Sequence, residues 1–360
     1  MTTFTDSATL TTSSAARARA EAYPAGSLRF DLAAALLACW FVLGLYLDGW
    51  AHNNLPGRFE TFFTPWHGVL YSGYLASTLF LFFHQAHNQR RGHAFIRALP
   101  QGYWLSLVGV MLFGLGGAFD LLWHNVFGFE EDVQALLSPA HLLLATSGVL
   151  FSLGPLRAAW RRPEAETKPG WAGLLPAWLS ICLLLSVFTF FTQYSHFLGA
   201  TNILVVRPAR DQFLRDAYGV ASVFYPAAFS LGLILFALRR WALPPGSLTL
   251  LLGSNSLLMF WMSYPYLYRA PWLVLSALVA SLLGDGLLWL LKPSAERVIT
   301  VRLFSFLLPI ILFGLYFVMM ILTSGTWWVV HMWLGVTFQA GVIGLLISYL
   351  VFPPRVSDPS

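Results

Sequence analysis

Apolar segments long enough to cross a bilayer recur along almost the whole of this 360-residue chain. Ten can be marked, at about 28–50, 66–86, 103–124, 140–160, 171–195, 218–238, 247–267, 271–291, 302–322 and 327–351. A crossing helix needs roughly 20 apolar residues, and lipid offers no partner to a backbone that does not satisfy itself. The pattern predicts an all-α, polytopic transmembrane helical bundle of about ten helices. Charged residues are only 10% of the chain, where a soluble domain carries roughly a quarter. That scarcity excludes a water-soluble enzyme, a nucleic-acid-binding protein and a disordered chain; the partner to expect is the lipid bilayer.

Residues 1–27 are rich in Ser, Thr and Ala and precede the first apolar run. They read as a flexible cytoplasmic tail, because a cleaved signal peptide needs an apolar stretch there. The helical domain is expected over 28–352, with a short cytoplasmic tail at 353–360. Cys39 and Cys182, the two cysteines, lie inside apolar runs and read as small hydrophobes, not as a disulfide or a thiolate metal cage.

The basic residues give the orientation. With both termini cytoplasmic, only Arg58, Arg207, Arg210, Arg215 and Arg269 of the 21 Lys and Arg fall on the outer side, the asymmetry that orients helices in a bacterial-type inner or plasma membrane. The outer loops are instead rich in aromatic residues (Trp50, Trp66, Trp123, Tyr264, Trp272, Trp327, Trp328), as interfacial belts are.

The first two helix pairs repeat a motif. Asp48-Gly-Trp-Ala-His52 leads through a loop with Glu60 to Thr64-Pro65-Trp66-His67, and Asp120-Leu-Leu-Trp-His124 leads through Glu130 and Glu131 to Ser138-Pro139-Ala140-His141. An ancestral hairpin duplication, over about 28–86 and 103–160, accounts for the matching order. Asp and His four apart share a helix face. Thr64 and Ser138 suit the N-cap and Pro65 and Pro139 the first helical position, so each following His is the third residue of its helix.

Six of the nine His, namely His52, His67, His124, His141, His196 and His331, are expected at the outer ends of helices. His84, His87 and His93 belong to a basic inner face. A single His at a membrane interface is usually structural. Six at one depth, with Asp48 and Asp120 beside them, point to a metal site, since ionisable groups at membrane depth are costly and mark function. The metal-ligand candidates are Asp48, His52, His67, Asp120, His124, His141, His196 and His331. Imidazole and carboxylate without thiolate suit a transition metal, copper first and iron or zinc as alternatives. Glu60 and Glu131 are the catalytic candidates, placed to act as base in the loops between ligands. Asp285, deep in the eighth apolar segment, reads as a proton-relay acid or as a partner of Ser281.

Asp-x-x-x-His followed a dozen or more residues later by His resembles the metal-binding motif in the C subunit of copper membrane monooxygenases, the particulate methane and ammonia monooxygenase family. The resemblance covers the two motif stretches, under a sixth of the chain. It implies copper held by Asp48, His52 and His67, and again by Asp120, His124 and His141. The resulting expectation is a metal-dependent membrane oxidoreductase or monooxygenase acting on a small apolar substrate or dioxygen at the outer face. A zinc-dependent lipid hydrolase, a transporter of metal ions or small solutes, and a haem-binding or accessory subunit of a membrane complex remain as alternatives. A homo-oligomer fits any of these.

Overall fold

Uninterrupted apolar runs with few internal breakers leave the helix as the only local solution, and helices are what the chain forms. The computed structural model describes residues 17–55, 63–128, 132–162, 169–199 and 212–354. Its helices, in chain order, are α1 (Leu28–Asn54), α2 (Pro65–Arg90), α3 (Trp104–Phe127), α4 (Asp132–Leu137), α5 (Pro139–Ser152), α6 (Gly154–Trp160), α7 (Gly170–Phe191), α8 (Gln212–Leu238), α9 (Ser254–Met262), α10 (Pro271–Leu291), α11 (Val298–Thr323) and α12 (Val330–Val351). No strand occurs among the described residues.

Seven helices, α1, α3, α7, α8, α10, α11 and α12, are long and apolar enough to cross a membrane. This is an integral membrane protein of all-α class. The bent pair α5 and α6 would make an eighth span. The other two expected segments take a different form. Helix α2 has the length, but Ser72, Ser77, Thr78, His84, Gln85 and His87 dilute its apolar character. The segment expected at 247–267 starts as a π-helical turn over Thr249–Gly253 and ends at Met262, shorter than a full crossing.

The outward surface is apolar in the manner of a lipid-facing protein: Leu115, Leu322 and Leu350 are each more than three-fifths exposed. Inside, small polar residues take the contact positions. Ser147, Ser281 and Ser305 are buried, and each donates to a backbone carbonyl one turn earlier. Helices in lipid associate through such small residues because lipid supplies no hydrophobic drive between them.

The chain divides into two compact units, one of Met1–Gly44, His67–Pro163 and Gly173–Leu184, the other of Leu45–Trp66, Glu164–Ala172 and Leu185–Ser360. In the first, glycines let backbones touch. A Cβ on Gly73 would stand 2.6 Å from the Phe41 nitrogen, and one on Gly44 2.6 Å from the Leu70 Cα, so α1 and α2 meet backbone to backbone. Helices α3 and α5 run antiparallel, Gly109 facing Phe151 and Gly116 facing Leu144. Between α5 and α6 the chain bends by 43°, where Pro155 has no N–H to continue the ladder. Arg157 crosses that break, donating to the carbonyls of Leu150 and Gly102 and to Ser106 Oγ, each at 2.8 Å. At the start of α1, buried Asp31 pairs with Arg162 and accepts from the Tyr103 hydroxyl at 2.7 Å.

In the second unit α10, α11, α12 and α8 pack side against side. A Cβ on Gly344 would collide with the Ser305 carbonyl of α11. Asp285 of α10 accepts from the Leu248 and Thr249 amides at 3.0 and 2.8 Å and from the Thr249 hydroxyl at 2.6 Å. It therefore closes the N-terminus of the π turn in place of a cap from that segment's own sequence. Ser281 turns away, onto the carbonyls of Ala277 and Leu278, so the expected Asp285–Ser281 pairing gives way to a clamp between elements.

Candidate metal centre

The antiparallel contact of α3 and α5 places the C-terminus of one beside the N-terminus of the other, and the second copy of the motif sits at both ends. Asp120 and His124 lie one turn apart in the last turns of α3. His141 is the third residue of α5. Its amide donates to Ser138 Oγ at 3.3 Å, with Pro139 opening the helix, as the motif predicts.

Three ligand atoms converge. His124 Nε2 is 3.4 Å and His141 Nε2 3.3 Å from the same oxygen, Asp120 Oδ1. One ligand atom from each residue lies within 4.8 Å of the others, and among the described residues this is the group of three or more that meets such a test. Asp120 is buried at 2% exposure. The His124 side chain is 10% and the His141 side chain 26% exposed, so the group opens on the His141 side.

The opposite ring nitrogens fix the chemistry. His124 Nδ1 is 3.2 Å from the Gly128 carbonyl, and His141 Nδ1 is 2.5 Å from the Ala135 carbonyl. A carbonyl oxygen only accepts, so these contacts assign the proton to Nδ1 in both rings, with Ser138 Oγ also 3.0 Å from His141 Nδ1. In the neutral imidazole Nε2 is then the acceptor nitrogen, with its lone pair in the ring plane. Two such lone pairs face a carboxylate oxygen that is sealed from solvent and accepts no hydrogen bond from any described group. Two imidazoles converging on a buried carboxylate oxygen call for a cation or a shared proton between them, because a buried acceptor left unsatisfied is costly. A proton on each ring, or a metal ion, resolves the conflict.

The residues fit a metal. Ligand atoms ~2.1 Å from a four-coordinate ion stand about 3.4 Å apart, which matches the two Nε2–Oδ1 separations. Ligand His donating its other nitrogen to a backbone carbonyl is the usual outer arrangement of metal sites. Gly128 and Ala135 are the contributors that sequence reading passes over, because they act through their carbonyls. The signal was a glycine four residues after a helix-terminal His.

The remaining candidates are distributed differently. Asp48 and His52 lie in the second compact unit, with Oδ2 and Nε2 3.8 Å apart, and Asp48 is buried while His52 is half-exposed. His67 lies in the first unit, its ring 6.2 Å from that of Tyr71. Glu60, Glu130 and Glu131 lie outside the described residues. His331 is exposed, near the start of α12.

His196 follows α7 and is 1% exposed. Its Nδ1 accepts from the Leu198 amide at 3.1 Å, and its ring stacks on Phe197. With Nδ1 spent on its own loop, His196 serves as a turn-forming group. Burial lowers its imidazole to about 3, so it stays neutral throughout the ordinary pH range.

Comparison with protein-family models, curated proteins and solved structures finds no match to this chain.

Proposed function

We propose that this chain is a membrane metalloenzyme that holds a transition metal on His124 Nε2, His141 Nε2 and the Asp120 carboxylate, and that it acts as an oxidoreductase on a small apolar substrate or dioxygen. The observation that carries the reading is the convergence of both Nε2 atoms on one buried carboxylate oxygen, with each Nδ1 facing a backbone carbonyl. Copper is the first choice, with iron or zinc as alternatives, because the donor set is imidazole and carboxylate with no thiolate. Bound copper or iron supplies one-electron chemistry and a binding position for dioxygen, whereas zinc supplies a Lewis acid only.

The chain's own residues would do the rest. Asp120 offsets charge, the Gly128 and Ala135 carbonyls aim the rings, and the part-exposed His141 leaves one side for a substrate. Exposed Leu122, Val126 and Phe127 flank His124 and suit an apolar substrate arriving through lipid. In the same reading both termini are cytoplasmic and the site is on the outer side. The distribution of Lys and Arg supports this. Asp48, His52 and His67 keep their place as ligand candidates on sequence grounds, for which the shared Asp-x-x-x-His spacing is the support. Glu60 and Glu131 keep their place as base candidates on sequence grounds alone.

The test is elemental analysis with electron paramagnetic resonance of the detergent-purified protein, wild type beside His67→Ala and His141→Ala. Near-stoichiometric metal in the wild type, lost in His141→Ala, is the expected result. Equal or zero metal in all three proteins overturns the reading. A redox-silent zinc centre would keep the site and remove the oxidoreductase assignment.

A further inference from the structure

Gly128 stands where α3 ends, with φ +81° and ψ −175°. That region of backbone space is essentially restricted to glycine. A Cβ there would meet nothing within 4 Å, so the glycine is not required for space. What its conformation achieves is direction. The Gly128 amide donates to the His124 carbonyl at 3.0 Å and closes the last helical turn, while the Gly128 carbonyl swings back to accept from His124 Nδ1 at 3.2 Å. One residue thus holds both the backbone and the ring of His124.

A helix usually ends on a left-handed residue with ψ near +47°. Relative to that ordinary cap, the Gly128 carbonyl is rotated by roughly 140°. An ordinary cap keeps the amide hydrogen bond and turns the carbonyl away from the ring. The other ligand is held without such a device, since the Ala135 carbonyl reaches His141 Nδ1 from the short helix α4. His124 therefore depends on a conformation that only one residue type adopts.

We infer that Gly128 is the positioning residue of the centre: its carbonyl locks His124 in the tautomer whose Nε2 lone pair points at Asp120. This rests on the metal reading given above. It is a statement about orientation through another residue; Gly128 itself touches no metal.

The test uses Gly128→Asn in the full chain, because Asn adopts the left-handed cap and preserves the helix end. Two readouts are taken on detergent-purified protein. The first is the affinity for Cu(II) and Zn(II), measured against a competing chelator. Loss of a group that orients a ligand His weakens metal binding 10–100-fold, and that is the expected effect, with metal-free thermal stability close to wild type. The second is the ¹⁵N spectrum of the metal-free protein with labelled histidine, assigned by His124→Gln. The His124 Nδ1 proton present in the wild type is expected to become a mixture of tautomers in Gly128→Asn. A merely structural glycine would not move that signal. Unchanged affinity and an unchanged His124 tautomer overturn the inference while leaving the metal centre standing. A wild type that binds neither ion overturns the functional reading, and the tautomer signal still decides the role of Gly128.

Discussion

Replacing Asp120 by Asn changes one buried oxygen to an amide nitrogen at nearly constant volume, and the sign of its effect separates the two ways the centre could be neutralised. In the metal-free protein the wild-type carboxylate oxygen sits 3.4 and 3.3 Å from the Nε2 atoms of two imidazoles and accepts no hydrogen bond from any described group. An unsatisfied buried polar group costs about 1–3 kcal/mol, more if charged. The Asn amide can instead donate to one or both Nε2 atoms, gaining about 1 kcal/mol per hydrogen bond made. Asp120→Asn is therefore expected to raise metal-free stability by about 2 kcal/mol at pH 8. It should at the same time abolish stabilisation by metal, which for the wild type amounts to about 2.7 kcal/mol when free metal is at 100 times its Kd. The assay is thermal unfolding in detergent, with chelator and with added Cu(II) or Zn(II). Metal-free Asp120→Asn melting below wild type would refute the reasoning. It would mean that the carboxylate is already satisfied by its imidazole neighbours without a metal.

Four further outcomes can be checked. Burial lowers His196 to about 3 against an ordinary 6.5, so its contribution to stability is complete above pH 6.5 and is lost as pH falls toward 3, up to about 4 kcal/mol; His196→Asn, which keeps an acceptor for the Leu198 amide, should flatten the acid limb of the stability–pH curve. Asp285→Ala strands two amides and a hydroxyl, and should cost about 2–3 kcal/mol in denaturant titrations while leaving metal content unchanged. Arg157→Met removes the three hydrogen bonds that staple the α5–α6 bend and should cost about 2–4 kcal/mol by the same measurement. Gly73→Ala and Gly286→Ala should differ in sign. The first drives a methyl against the Phe41 backbone, while the second meets open space, so melting should show a loss of about 1–3 kcal/mol and a gain of about 0.5–1 kcal/mol respectively.

Much of the site was legible because its elements are local. Asp120 and His124 are a single helical turn apart, and Ser138, Pro139 and His141 follow from the rules for starting a helix. Neither requires knowledge of what packs where. The expected Asp285–Ser281 pairing failed for the complementary reason: the partners of Asp285, Leu248 and Thr249, are more than thirty residues away, where a local reading does not reach. Buried Asp31 and half-buried Arg162, paired across 131 residues, carried no local signal at all.

By itself the sequence determined the all-helical membrane class, since continuous apolar runs of about 20 residues in a chain with 10% charged residues have the length of crossing helices, which satisfy their own backbone in lipid. It also determined the residue types that gather at the helix ends. Tertiary structure alone decided that Asp120, His124 and His141 converge, because that depends on Gly109 and Gly116 letting α3 approach α5. It alone decided which face of each imidazole is bare, because that depends on where the Gly128 and Ala135 carbonyls point. Periodicity reports which side chains share a helix face; backbone direction at a turn, and the distance between two helices, are set by contacts that no single segment contains.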